Sequence, residues 1–329
     1  MFTVLEGEWK YSGMQGTRKE AVTKVIIGDE AAGQRLDNYL FRRLKGVPKS
    51  RIYRMLRGGE ARVNGRRAEP SRRLELGDEV RIPPVRTAEA ASAPPARVTR
   101  SLLERVLYRD DGLLALDKPS GQAVHGGSGV SLGIIEQLRL EMPEAPYMEL
   151  VHRLDKETSG VLLVALKRSA LTAMHRMLRN GQVRKSYLAL ARGTWRGEQR
   201  HVRLSLQKYV TAEGERRVAV NDTGQAAHTI FRLVRQYSGF CLLEAELKTG
   251  RTHQIRVHLA ALGHPIAGDD KYGDFELNRR LKKQGLKRMF LHAQRLVFTH
   301  PLTGTPLDLE SPLPGHLDHF LHDLERDGG

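Results

Sequence analysis

Residues Glu149 to Ala165, ELVHRLDKETSGVLLVA, set a charged segment between two apolar ones. A short apolar run bounded by turn residues reads as a buried strand, so the flanks are expected to enter a core and to leave Asp155 on the loop that joins them. Arg153 and Lys156 are its cationic neighbours in sequence, and a carboxylate so placed stays ionised and nucleophilic. The same spacing also suits a plain turn residue, or a cap for the turn from Lys156 to Gly160. Spacing alone leaves both roles open.

Apolar runs at Leu113 to Leu116, Val161 to Leu166 and Cys241 to Ala245 alternate with helix-length segments from Leu102 onward. An α+β domain built on a mixed, mainly antiparallel sheet flanked by helices and loops is expected. No repeat of about 20 to 50 residues is visible, which argues against a solenoid.

Two other segments place charged, glycine and histidine residues between core-like runs, where functional loops are expected. In LLALDKPSGQAVHGGSG, Leu113 to Gly129, Lys118-Pro119-Ser120-Gly121 reads as a type II turn and His125-Gly126-Gly127 as a flexible loop. No phosphate-loop pattern occurs there. In LKTGRTHQIRVHLAALGHPIAGDDKYG, Leu247 to Gly273, Thr252 is placed to cap a helix. Ile255, Leu259 and Leu262 form its inward stripe, and Gly263 ends it with Pro265 beyond. Arg251, His253 and Arg256 crowd its first turn, a setting that favours a carboxylate or a phosphate. His253 and His258 are five apart and no HxxxH or HExxH pattern occurs among the 13 histidines, so no zinc site is expected.

The 329 residues carry 54 Lys plus Arg against 38 Asp plus Glu, a formal net charge of +16, which attracts a polyanion and nucleic acid first. Between Gln34 and Arg86, 15 Lys plus Arg accompany 6 Asp plus Glu, so +9 of that excess occupies 53 residues. Leu36, Tyr39, Leu40 and Leu44 have helical spacing, and Ser50 is expected to cap a second helix. There Ile52, Met55 and Leu56 share one face, and Arg51, Arg54 and Arg57 form an exposed ridge opposite. Gly58 and Gly59 end the helix, Asn64-Gly65 signals a hairpin, and Leu74, Leu76, Val80 and Ile82 continue an alternating pattern. The expected organisation is a flexible arm over residues 1–22, this small module over 23–86, a linker, TAEAASAPPARVTR, over 87–100 and a large domain over 101–329.

Cys241 is the only cysteine, which excludes a disulfide framework and a multi-thiolate metal site and fits the reducing cytoplasm. No stretch reaches the roughly 18 apolar residues of a membrane helix. Glu6 and Glu8 stand where a signal peptide would be apolar. A cytoplasmic protein with no membrane anchor is expected, and nothing in the sequence demands more than a monomer.

HRLDKETSG, KSYLALARG and GRTHQIRVH, in that order, resemble the signature of the RluA-like pseudouridine synthases. QRLDNYL, KGVPKSRIYRMLRGGEARVNG and LELGDEVRIP resemble the S4 RNA-binding domain, a small α/β module that meets structured RNA. The resemblance spans about Gln34 to Pro314. It implies an isomerase that converts several uridines of 23S ribosomal RNA, or of its assembly intermediates, to pseudouridine. The N1 to C1′ bond breaks, the uracil rotates, and C5 rejoins C1′. The resemblance makes Asp155 the catalytic carboxylate, whether it attacks C1′, attacks C6 or removes a ribose proton.

By the same resemblance Tyr187 stacks on the target base and is associated with removal of the C5 proton, and Arg256 pairs with Asp155. Arg153 fills the space left by the flipped nucleotide, whose extrusion chemistry on a stacked base requires. In the S4-like module the RNA-contacting residues so implied are Arg35, Lys49, Ser50, Arg51, Arg54 and Arg57. Such an isomerisation needs no metal, nucleotide or redox cofactor. Tyr187 also fits a half-buried strand running through Ala189 and Ala191. Two rival readings stand beside this one: a non-catalytic RNA-binding or ribosome-assembly factor of the same fold, and a hydrolase that releases free uracil.

Overall fold

A computed structural model describes residues 22–28, 31–44, 47–85, 100–126 and 132–327. The expected arm before Val22, the expected linker up to residue 99 and Gly127 of the expected loop lie outside them. The chain divides into two compact units, Met1–Pro95 and Ala96–Gly329.

In the first unit β1 (Thr23–Ile26) precedes two helices, α1 (Leu36–Arg43) and α2 (Lys49–Arg57), which are followed by β2 (Arg62–Val63) and β3 (Glu79–Ile82). The three strands form an antiparallel sheet with β3 in the middle. Leu36 and Leu40 of α1, Ile52, Met55 and Leu56 of α2, and Val63, Leu74 and Val80 fill one core. This is the helical and alternating pattern of the sequence turned into burial.

Four local expectations are corrected here. The helix α2 starts at Lys49 straight after Pro48, so Ser50 lies inside its first turn and caps nothing. Asn64 and Gly65 do make a tight turn, with φ of 50° and 74°, closed by Val63 and Arg66. No hairpin extends from it. Instead the Asn64 side chain donates to Asp78 and accepts from the Glu79 amide, at 2.6 and 2.8 Å, and β2 pairs with β3. Leu76, in the turn before Gly77, is 65% exposed and does not join the alternating set. On the expected ridge Arg54 and Arg57 are exposed, but Arg51 is bound bidentately by Glu60 at 2.9 and 2.8 Å.

The second unit is built on a sheet of ten strands. These are β4 (Val106–Arg109), β5 (Leu113–Lys118), β6 (Glu149–Leu150), β7 (Ser159–Ala165), β8 (Arg184–Arg192), β9 (Gln199–Arg203), β12 (His228–Tyr237), β13 (Phe240–Leu247), β14 (Leu291–Thr299) and β15 (Pro306–Glu310). Their order is β4-β5-β7-β14-β8-β13-β12-β9, with β6 paired to β7 and β15 to β14. Every pairing is antiparallel except β7 with β14. A separate hairpin is formed by β10 (Leu206–Val210) and β11 (Arg216–Val220). The helices are α3 (Ile134–Glu141), α4 (Arg168–Arg179), α5 (Gln254–Ala261), α6 (Phe275–Lys283) and α7 (Gly315–Asp327).

The central strands are covered on both faces, which is why they read as continuous apolar runs. Leu114, Leu116, Leu162, Val164, Ala189 and Leu243 pack on one side with Ile134 and Leu138 of α3 and Ile255 and Leu259 of α5. Leu113, Ala115, Leu163 and Ala165 pack on the other with Ala170 and Met174 of α4. Gly160 has φ of +110°, and a Cβ there would stand 2.2 Å from the Ala293 carbonyl oxygen. Only glycine lets β14 lie against β7 immediately after the Asp155 loop.

Candidate active site

Asp155 sits on the loop between β6 and β7, with its side chain 22% exposed. The loop is held from behind through the carbonyls of Asp155, Lys156, Glu157 and Thr158. Thr158 N donates to the Asp155 carbonyl at 3.1 Å. Lys118, fully buried at the end of β5, sends Nζ to the carbonyls of Lys156 and Thr158 at 3.0 and 2.8 Å, and to that of Pro119 at 2.8 Å. Ser120 Oγ and Arg288 Nη2 both donate to the Glu157 carbonyl, and Gly121 N to that of Lys156. The loop is therefore rigid because its backbone acceptors are satisfied by cations and turn donors.

This arrangement corrects the reading of Lys118 to Gly121 as a type II turn. The left-handed residue is Gly121, with φ of 86°, and its amide bonds Lys156 across the sheet. Lys118, given no function from sequence, is the anchor of the loop. A lysine within the strand that the apolar run Leu113 to Leu116 opens was the available signal.

Arg256, on α5, approaches Asp155 from the front, with Nη1 3.3 Å from Oδ2. The guanidinium is buried and fixed by Asp269, which accepts from Nε and Nη2 at 2.7 Å each. Asp269 is itself held by the amides of Lys271 and Tyr272, and the Tyr272 ring lies 5.1 Å from the guanidinium carbon. Burial opposes both charges. The Asp269 hydrogen bonds nonetheless raise Arg256, and Arg256 draws Asp269 below the ordinary carboxylate value, so the pair stays ionic. Asp269 carried no expectation from sequence; it reaches Arg256 only once α5 and the loop after it have folded.

The expected helix cap is corrected too. His253, not Thr252, is the residue before α5, and it has a left-handed φ of 54°. The Gln254 carboxamide takes over at that end, accepting from Arg251 N and Thr249 Oγ1. Ile255 and Leu259 are buried as expected, and Leu262 packs partly buried against the same core.

These elements surround a cleft of about 500 Å³. Asp155, Arg153, Tyr187 and Arg256 all line it, so the structure brings together the four site residues expected of the large domain. Arg153 is exposed; Tyr187, on β8, is buried. Burial, and then the charge of Asp155, push the Tyr187 hydroxyl above its ordinary value, so it is held protonated. Arg179, Lys185, Lys248 and Arg251 complete the set of lysines and arginines that line it, and burial lowers Lys185. Among the described lining residues Asp155 is the one carboxylate against six Lys and Arg side chains. A polyanion is drawn to such a cleft, and only one group within it can act as an anionic nucleophile or base. No group of three or more His, Cys, Asp or Glu among the described residues is placed to hold a metal ion.

The small-module residues are distributed differently. Lys49 is exposed, with Nζ 5.4 Å from the centre of the Phe41 ring. Arg35 is committed to Asp37 through two bonds of 3.1 and 2.7 Å. Arg35, although exposed, and Arg51 are thus both committed to ion pairs, and Lys49, Arg54 and Arg57 are the other exposed cations of the expected set.

Residues 34–80 match the S4 domain, and residues 112–261 match the family described as RNA pseudouridylate synthase. The chain is 51% identical over 313 residues to ribosomal large subunit pseudouridine synthase C of Salmonella typhimurium, covering 94% of this chain and 98% of that protein. The same figures hold for the protein of that name in Escherichia coli K12. Its counterpart in Pasteurella multocida is 48% identical over 92% of this chain and 94% of its own length. Among solved structures, human RNA pseudouridylate synthase domain containing 4 superposes with a TM-score of 0.56 at 28% identity, over 68% of this chain and 94% of that one.

Proposed function

This chain belongs to the RNA pseudouridylate synthase family, and we propose that Asp155 is the carboxylate with which it isomerises uridine to pseudouridine in large-subunit ribosomal RNA. The observation that carries the assignment is the cleft itself: a rigid, part-exposed carboxylate, the one anion among cations, within 3.3 Å of a buried arginine. The small unit is an S4 domain, a class of module that binds RNA, and the large one is the synthase domain.

The chemistry follows from these groups. The target uridine leaves the stack and enters the cleft, with its phosphates met by the cationic lining. Arg153, exposed at the cleft, takes the place of the departed base, where a guanidinium plane replaces part of the lost stacking. Asp155, as the anion, acts on the ribose or on the ring. The N1 to C1′ bond then breaks, the uracil turns, C5 bonds to C1′, and the C5 proton is lost while N1 gains one. Tyr187 forms one wall for the base. Arg256 keeps Asp155 oriented without a short bond that would blunt it as a nucleophile. The reaction is set in the cytoplasm, where ribosomal RNA is made.

An RNA carrying tritium at C5 of uridine tests the assignment. The wild-type protein is expected to release the tritium, and Asp155→Asn to bind the RNA and release none. Release at the wild-type rate by Asp155→Asn removes Asp155 from the chemistry.

A further inference from the structure

We infer that His253 is a positioning residue for this reaction: Tyr272 fixes its tautomer so that an Nε2 proton faces the Asp155 carboxylate. The inference rests on the role given to Asp155 above.

Its first support is backbone geometry. Among the described residues Asn64 and His253 are the non-glycine residues with positive φ, and Asn64 is accounted for by its tight turn. A histidine held in the left-handed region needs surroundings that over-determine it. The ring does not cap α5, since it makes no cap hydrogen bond. It bridges two other elements instead. Nδ1 lies 2.8 Å from Tyr272 Oη, and Nε2 lies 3.8 Å from Asp155 Oδ2.

The second support is the direction of the hydrogen bonds. Val218 N of β11 is 2.9 Å from Tyr272 Oη, and a backbone amide only donates. Tyr272 Oη thus accepts from Val218, and among the described contacts His253 Nδ1, at 2.8 Å, is the acceptor that faces its own proton. When Nδ1 accepts, a neutral imidazole carries its proton on Nε2, the atom that faces Asp155. Burial keeps His253 below its ordinary value against the pull of Asp155 and Asp269, with Arg256 and Lys271 working in the same direction as burial. The ring is therefore neutral at pH 7, and the tautomer decides the sign of the contact. A bare Nε2 lone pair would repel the carboxylate; Nε2–H attracts it.

Arg256 and His253 both approach Oδ2. Together they leave Oδ1 as the oxygen available to the nucleoside. The 3.8 Å separation is longer than a hydrogen bond and closes when substrate desolvates the cleft, as catalytic contacts often tighten on binding.

Four variants separate this role from a merely structural one: His253→Gln, His253→Asn, His253→Gly and Tyr272→Phe. Each is compared with wild type in single-turnover pseudouridine formation, RNA affinity and thermal unfolding. Asn and Gly suit a left-handed backbone at least as well as His. Neither places an N–H where Nε2 lies, whereas the Gln amide does. The expected result is a rate loss of roughly 10- to 100-fold for Asn and Gly at unchanged RNA affinity, with Gln restoring most of the rate. Tyr272→Phe, which removes one hydroxyl and little volume, loses rate in the same sense. Wild-type rates in Gly and Asn, or in Tyr272→Phe, overturn the inference, as does a folded Gln variant no faster than Gly. Asp155→Asn is run alongside. Activity there breaks the assignment of Asp155 itself, while an inactive Asp155→Asn with a fully active His253→Gly breaks only the role of His253.

Discussion

Asp269 grips Arg256 through two 2.7 Å hydrogen bonds, a tighter hold than the single 3.3 Å bond by which Arg256 reaches Asp155. The arginine is thus a fixed part of the scaffold that offers one N–H to the reacting carboxylate. Asp269→Asn leaves a buried guanidinium without its bidentate partner, and unpairing a buried charge destabilises by about 3 kcal/mol. Urea unfolding is expected to show a loss of that order. Turnover on RNA should fall at least about tenfold, a loss of roughly 1.4 kcal/mol in transition-state stabilisation.

The same logic applies behind the Asp155 loop. Lys118→Met keeps the length and apolar stem of the side chain but strips the donor from the carbonyls of Pro119, Lys156 and Thr158. The Lys156 carbonyl keeps the Gly121 amide, and each of the other two buried acceptors left without this donor costs about 1 to 3 kcal/mol unless water takes its place. The expected outcome is a destabilised protein that still binds RNA but turns over more than tenfold slower. It is checked by pairing denaturation with single-turnover rates.

In the S4 domain the arginines are not equivalent, because Glu60 neutralises Arg51. Arg54→Glu and Arg57→Glu are each expected to weaken RNA binding and to flatten the dependence of log K on log salt by about 0.7 to 0.9 for every phosphate that the variant no longer neutralises. Arg51→Ala is expected to change that slope less. Filter binding across a salt series reads both.

A pH dependence follows from His152. Its Nε2 accepts from Leu163 N at 3.1 Å, which requires a lone pair. Burial, aided by the charge of Lys185, pushes the ring down from 6.5 to about 4. The unfolded chain therefore binds a proton that the folded chain refuses between those values, so this contribution to stability is present above pH 6.5 and is lost as pH falls towards 4. The loss is on the order of 3 kcal/mol. His152→Gln keeps an acceptor without the titration. Its urea midpoint is expected to vary less than that of wild type across this window.

Much of this architecture was legible in local pattern. The apolar runs at Leu113, Val161 and Cys241 became central strands, and the Asp155 loop leads into the second of them from the two-residue strand β6. Arg256 and Tyr187 were found through motif resemblance, and the fold places both at the cleft. The residues that sequence did not reveal share one physical trait: their partners are distant in the chain. Lys118 serves carbonyls about forty positions away, and it meets them because β5 pairs with β7. Asp269 acts on Arg256 only after the chain has turned back past the end of α5. Ser50 and Thr252 fit cap patterns, yet Pro48 and the left-handed His253 set those helix starts. A cap motif states what a side chain can do, and the neighbouring backbone decides whether it does.

The central claim is that this protein modifies ribosomal RNA through the carboxylate of Asp155, and a pseudouridine map of 23S ribosomal RNA tests it most directly. The map is made from cells that lack the gene and carry either the wild-type sequence or Asp155→Asn. Wild type is expected to restore pseudouridine at a defined set of positions, and Asp155→Asn at none of them, although the variant protein is present and binds RNA. Restoration of those positions by Asp155→Asn would contradict the account. So would a map with no position that depends on the gene, which would leave an RNA-binding factor without the chemistry.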